Sequence, residues 1–272
     1  MDIEKDFKPF AKALSSLGYL LHDSEMGTFN HFLEYIIAQH SHTVVKDLKN
    51  ASKAVKLAYF DTYKEYIKLY YLKIHTQHKE WFDAFGLYFE INSSKFSRDK
   101  RGQFFTPENL CDCMCQMMVT KDMVKERVFD PACGSGRLLL ASHVYNPKNY
   151  HFGQDLDYTC CLMSAVNMMM HGIQGEVVHG NSLDPDSYFQ GWAINPNIIK
   201  LRGIPHIENL AKENSFIYHV AQGKKSELLE EKKKAEEASI EKIKNTDFLN
   251  VGKENRISID KSKDEKTSFD FF

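Results

Sequence analysis

Apolar residues recur every three or four positions near the start of the chain. Phe7, Phe10, Leu14, Leu17 and Leu21 form one series, and Phe29, Phe32, Leu33, Ile36 and Ile37 form another. This is the spacing of amphipathic helices. From Val55 to Phe89, Tyr and Phe alternate with Lys. That mixture reads as a helical bundle with solvated lysines, or as a partly basic face that meets phosphates. Residues 92–102 contain a single apolar side chain, Phe96, and read as a polar, basic linker. Beyond Gly102 short apolar runs appear at 127–129, 150–153, 176–178 and 191–194, with helical patterns at 107–119, 136–145 and 158–171. Strand and helix alternating at this spacing predict βαβ units and a parallel sheet. After Pro205 the apolar runs stop. Residues 208–245 read as an increasingly charged helix, and 246–272 as disordered.

Composition narrows the class. The 272 residues are 43% hydrophobic, enough for a core and too many for wholesale disorder. No apolar run reaches the ~18 residues of a membrane span. Met1-Asp2-Ile3-Glu4-Lys5-Asp6 lacks the basic and apolar regions of a signal peptide. The expectation is a cytoplasmic protein with reduced thiols and no membrane partner. The net charge of −2 argues against a uniformly basic nucleic-acid coat. It conceals a basic stretch, residues 46–101, with 12 basic and 7 acidic side chains. Within it Lys95, Arg98 and Lys100 are the candidate phosphate contacts.

The densest chemistry lies in Asp130-Pro131-Ala132-Cys133-Gly134-Ser135-Gly136, after a predicted strand and at the opening of a predicted helix. Two glycines allow close backbone approach to a ligand, and a helix N-terminus offers N–H donors. Cys111, Cys113 and Cys115 alternate along a predicted helix, where they cannot converge on one ion. Cys160-Cys161 has no His pair of zinc spacing beside it. The cysteines, like Met168 to Met170, therefore read as core residues rather than metal ligands.

Asp-Pro-Ala-Cys-Gly-Ser-Gly resembles the AdoMet-binding loop of adenine-specific amino-methyltransferases that act on DNA. Gly102-Gln103-Phe104-Phe105-Thr106-Pro107 resembles the Phe-Tyr-Thr-Pro element that precedes the loop in that class. Gly153-Gln154-Asp155-Leu156-Asp157, followed by Asn167-Met168-Met169-Met170-His171-Gly172, resembles the second strand and helix of type I restriction-modification methylase subunits. Gly180-Asn181-Ser182-Leu183 resembles their Gly-Asp-Ser/Thr-Leu. The likeness covers about residues 96–197. It implies S-adenosyl-L-methionine as cofactor, held by Gln103, Phe104, Phe105, Thr106, Pro107, Asp130, Ala132, Cys133, Gly134, Ser135, Gly136, Asp155, Asn181 and Ser182. In that assignment Thr106 meets the cofactor's carboxylate and Asp155 accepts from its ribose hydroxyls. Asn181, where the family usually has Asp, accepts from its adenine amine.

The same resemblance assigns catalysis to Asn195 and Pro196, in Trp192-Ala193-Ile194-Asn195-Pro196-Asn197-Ile198. The family has Asn/Asp-Pro-Pro-Tyr/Phe here, whose oxygens accept from the target amine while the aromatic stacks on a flipped base. Asn197 and Ile198 replace the second Pro and the aromatic, so rigidity and stacking are reduced.

The expected fold is α/β, a Rossmann-like AdoMet-dependent methyltransferase sheet preceded by an N-terminal helical domain. The expected division is 1–95, 96–207, a charged helix at 208–245 and a tail at 246–272. The length suits the cofactor half of such a sheet better than the whole, so a truncated methylase is expected. The function implied is methyl transfer from AdoMet to the exocyclic amine of adenine in DNA, within a restriction-modification or similar system. DNA, a specificity subunit and a restriction subunit are the partners implied. Two alternatives stay open: a non-catalytic AdoMet-binding or DNA-associated module, and transfer to RNA or protein.

Overall fold

The structure is a computed structural model, and it describes residues 3–41, 46–77, 80–92, 105–120, 122–226, 230 and 234. The chain divides into two compact units, Met1–Gln222 and Gly223–Phe272. Of the second, only residues 223–226, 230 and 234 are described, all helical. The tail at 246–272 falls outside the described residues.

The predicted helical periodicity near the start produces α1 (Ile3–Leu21) and α2 (Glu25–Gln39). Ser24 ends the loop between them by accepting from Gly27 N with its side chain, the bond that starts α2. A short α3 (Lys46–Lys49) precedes α4 (Lys53–Tyr71), whose last turn widens into a π-helical turn at Leu72–Thr76. α5 (Ala84–Ile91) follows, capped by Asp83, which accepts from Gly86 N. Phe7, Phe10, Phe29, Phe32, Tyr66 and Phe85 interlock in one aromatic core between these helices.

The second part contains α6 (Glu108–Met118), β1 (Arg127–Asp130), α7 (Arg137–Tyr145), β2 (Tyr150–Asp155), α8 (Tyr158–Met170), β3 (Gly175–His179), β4 (Gln190–Ile194) and β5 (Ile207–Asn209). The α/β class holds, but the sheet is mixed. Its order is β1-β2-β3-β4-β5, parallel from β1 to β3 and antiparallel from β3 to β5. The expectation of a wholly parallel sheet fails at β4 for a local reason. A parallel neighbour needs a crossover of about a dozen residues or more, usually a helix. Residues 180–189 contain no helix, so β4 folds straight back beside β3.

α8 is the centre of the first unit. Eleven of its residues are buried, because one side packs on β2, β3 and β4 while the other receives α2 and α5. The opposite face of the sheet is covered by residues 216–222, which bring Ile217 and Phe216 onto Phe152 and Val178. Glu176 on β3 anchors that segment, accepting from Ser215 Oγ (3.1 Å) and Phe216 N (3.0 Å). The single helix expected at 208–245 is thus replaced at its start by β5 and a 3-10 turn at Lys212–Asn214; helix begins at 216. Among the described residues no helix is long and apolar enough to cross a membrane.

Candidate functional site

The carboxyl ends of β1, β2 and β3 form the site. β1 delivers Asp130, after which Gly134 and Gly136 take φ of +52° and +91°. Only glycine adopts such angles freely. Gly136 caps α7, and a Cβ there would stand 2.8 Å from Ser164 Oγ on α8. The loop therefore needs glycine twice, for its turn and for its seat on the buried helix.

The loop's donors are largely spent on the protein itself. Ala132 N donates to Asp130 Oδ1 (3.1 Å), Cys133 N to Gln154 O (3.0 Å), Gly134 N to Asp155 Oδ2 (2.9 Å) and Gly136 N to Cys133 O (2.8 Å). Asp155 Oδ1 accepts from Asp157 N (2.9 Å). Among the described residues neither Asp130 nor Asp155 is in an ion pair. Burial, more than the nearby Asp155 charge, raises the pKa of Asp130. The site is electronegative with few free N–H groups. It suits a ligand carrying positive charge and hydroxyls better than one carrying phosphate.

The predicted cofactor residues do not all meet in one place. Asp130, Ala132, Gly134 and Asp155 come together at the mouth of the loop. Phe105 lies over Gly134, where a Cβ would meet its ring at 2.9 Å, and Thr106 and Pro107 lead into α6 beside it. A cavity of about 60 Å³ between Phe105, Thr106, Asp130, Gly134 and Ser135 marks the space left. Asn181 and Ser182 follow β3, with Asn181 Oδ1 engaged by Leu183 N (3.1 Å). Cys133, Ser135 and Gly136 are buried and face inward. Gln103 and Phe104 lie outside the described residues, as do Lys95, Arg98 and Lys100.

Asn195 and Pro196 are not brought to this site. Because β4 runs antiparallel, Ile194 pairs with Gly175, at the start of β3 rather than its end. Asn195 thus lies a strand's length, ~13 Å at ~3.3 Å per residue, from the ligand end. Its side chain is fully buried and occupied. Nδ2 donates to Met169 O (3.0 Å) and Ile173 O (2.9 Å), and Oδ1 accepts from His206 N (2.9 Å). The residue adopts φ +51° and pins the end of α8 to the β4–β5 turn. This departs from the expected catalytic placement, and its cause is the helix-free return from β3.

Sequence reasoning missed Asp83, Glu90, Arg137 and Asn167, which lie directly beneath the loop. Asp83 accepts from Ser135 Oγ and Arg137 Nε, both at 2.6 Å. Arg137 also donates to both carboxylate oxygens of Glu90 and to Thr106 O (3.2 Å). Burial alone would lower the Arg137 pKa, but the Asp83 charge and the bonds to Glu90 and Asp83 outweigh it and raise it. One signal was available: Asp83 precedes the apolar run Ala84-Phe85 in the manner of a helix cap.

Five of the six cysteines are buried and Cys113 is exposed. Burial pushes Cys111 up to about 12 and Cys115 to about 11, so both thiols stay protonated.

Residues 81–191 match the family described as N-6 DNA Methylase. The match includes the loop, Asp155 and Asn181 and ends four residues before Asn195. The chain is 30% identical over 103 residues to the type I restriction enzyme MpnII methylase subunit of Mycoplasma pneumoniae, covering 35% of this chain and 19% of that one. It is 28% identical over 121 residues to the MjaVII methylase subunit of Methanocaldococcus jannaschii, covering 40% and 20%. The chain resembles type I restriction-modification methylase subunits, and its matched part spans about a fifth of their length. Among solved structures, a type I restriction-modification methyltransferase subunit from Streptococcus thermophilus aligns with a TM-score of 0.35 at 25% identity, over 50% of this chain and 30% of that one. A class I S-adenosylmethionine-dependent methyltransferase from Listeria monocytogenes, itself described as putative, aligns at 0.40 and 14% identity, over 66% and 54%.

Proposed function

We propose that this chain binds S-adenosyl-L-methionine at the 130–136 loop and serves adenine-N6 methylation of DNA in a restriction-modification or similar system. The observation that carries the reading is the pairing of a glycine loop with two carboxylates, Asp130 and Asp155, where no described cation balances them. The residues fit the cofactor. Asp130 and Asp155 favour its sulfonium and ammonium charges, the free lone pairs of Asp155 suit ribose hydroxyls, and Phe105 offers an apolar wall. When bound, AdoMet supplies an electrophilic methyl group. The protein's own part is to hold that ligand at the ends of β1 and β2 and to shield it with Phe105.

The adenine specificity, the DNA acceptor, the specificity and restriction subunits and a cytoplasmic location belong to the same reading; the N-6 DNA Methylase match supports its DNA acceptor, and the names of the relatives support its restriction-modification setting. Isothermal calorimetry with AdoMet tests cofactor binding. Wild type should bind and Gly134→Asp should not, because the added side chain collides with Phe105 and adds a third carboxylate; a silent wild type overturns the reading. A second reading, a module that binds without transferring, is favoured by one observation, the burial of Asn195 at the far end of the sheet. Tritium transfer from labelled AdoMet to unmethylated duplex DNA, with and without a specificity subunit, separates the two. Label in DNA supports transfer, and bound cofactor without label supports the module. Charge reversal at Lys95, Arg98 and Lys100 should weaken DNA binding and flatten its salt dependence.

A further inference from the structure

We propose that Asp83, which lies in the helical part of the chain, is the positioning residue of the glycine-rich loop and acts on it through Ser135 and Arg137. The proposal rests on the AdoMet reading for its ligand but not for its geometry.

Asp83 is fully buried and its carboxylate accepts four donors. Oδ1 takes Gly86 N (2.8 Å) and Asn167 Nδ2 (2.7 Å), bonds that build α5 and hold it to α8. Oδ2 takes Ser135 Oγ and Arg137 Nε, bonds that land on either side of Gly136, the residue at φ +91°. One oxygen serves the scaffold and the other serves the loop. Asn167 Nδ2 also donates to Ser135 O (2.9 Å), so the loop is held from beneath by side chain and backbone together. Gly86 makes the approach possible, since a Cβ there would collide with Asp83 and Ser135. Arg137 extends the hold sideways to Glu90 on α5 and to Thr106 O at the start of the α6 segment. The inner face of the loop is thereby fixed, and its outer face, at Asp130, Ala132 and Gly134, remains for a ligand. A preorganised loop binds without the cost of ordering itself.

Asp83→Asn isolates this role. The amide oxygen keeps the Oδ1 bonds to Gly86 and Asn167, while its NH2 now faces Arg137 Nε, donor against donor. Arg137 keeps Glu90, so no buried cation is left unpaired. The first measurement is hydrogen exchange of the ligand-free full chain. Amides 134–138 should exchange at least tenfold faster in Asp83→Asn, while β2, β3 and the body of α8 exchange as in wild type. Unchanged exchange at 134–138 overturns the proposal, whatever the protein binds. If exchange rises throughout, Ser135→Ala, which removes one bond only, decides: a rise confined to the loop supports the proposal and none overturns it. The second measurement is calorimetry with AdoMet, made well below the melting temperatures of both proteins, where Kd should rise at least tenfold. Equal affinity in wild type and variant overturns the role in binding. Faster loop exchange in a chain whose wild type ignores AdoMet supports the positioning and overturns the cofactor reading.

Discussion

Asn195→Ala separates a structural role for this residue from a place beside the ligand. The substitution takes hydrogen bonds from Ile173 O and His206 N; Met169 O keeps Gly172 N–H. Two groups left without a partner in a buried place cost about 1 kcal/mol or more each. Alanine at φ +51° adds about 1 kcal/mol, a conformation asparagine tolerates better. The expected loss is about 3 kcal/mol, a large share of the ~5–15 kcal/mol that holds a typical domain together. Urea unfolding followed by the fluorescence of Trp192, buried three residues away on β4, measures it. Asn195→Gly divides the loss, because glycine takes the same φ freely and should recover about 1 kcal/mol of it. AdoMet affinity of the folded Asn195→Ala protein should stay within twofold of wild type, since the residue sits at the other end of β3. Wild-type stability in Asn195→Ala would refute the structural role. Lost AdoMet affinity at full stability would place Asn195 beside the ligand.

Other residues give independent checks. Gly136→Ala must strain φ +91° and press on Ser164, so it should cost about 2–4 kcal/mol in the same urea assay, part of it recovered by Ser164→Gly; full stability would contradict the tight seat of the loop. His171 is half-buried, accepts from Phe82 N (3.1 Å) at Nε2 and faces Asn167 O (2.7 Å) at Nδ1, and its desolvation lowers its pKa from 6.5 to about 4. Its neutral form is the folded one. The unfolded chain therefore binds the extra proton between these values, so stability is complete above pH 6.5 and falls by about 3 kcal/mol as pH drops to about 4. His171→Gln should flatten that part of the pH–stability curve; parallel curves would exclude the histidine as its source. Glu176→Ala removes the anchor of residues 215–217, costing about 2 kcal/mol, and should speed amide exchange there while sparing β2; equal exchange would show the segment held by Phe216 and Ile217 alone.

The features legible in the sequence were those whose cause is local. The periodicities of Phe7 to Leu21 and Phe29 to Ile37 fall inside α1 and α2. The apolar runs at 127, 150, 176 and 191 became β1 to β4 with ends shifted by no more than two residues. Gly134 and Gly136 announced the loop because their need for positive φ is written in the residue type. What escaped depends on partners far along the chain. Nothing near Trp192 says that β4 pairs antiparallel with β3; that follows from what residues 180–189 fail to form. β5, three residues long, is too short for any period to show. Asp83 reads as a helix cap, but its second oxygen answers to Ser135 and Arg137, 52 and 54 residues later. Asn195 looked catalytic by position in a motif, and only the folded chain shows its three hydrogen bonds already engaged.

The burial of α8 has a bearing on inheritance. Its residues answer to both sides at once. Tyr158 donates to Glu34, Asn167 donates to Asp83, Met170 O accepts from Tyr70, and Cys161 packs beneath β3. A genetic exchange joining these helices to a foreign sheet at a junction near residue 95 would set α8 against surfaces that never adapted to it. The smallest portion of this sequence that such an exchange could carry away intact runs from α1 past the last strand to residue 222, where the cover of the sheet's other face ends.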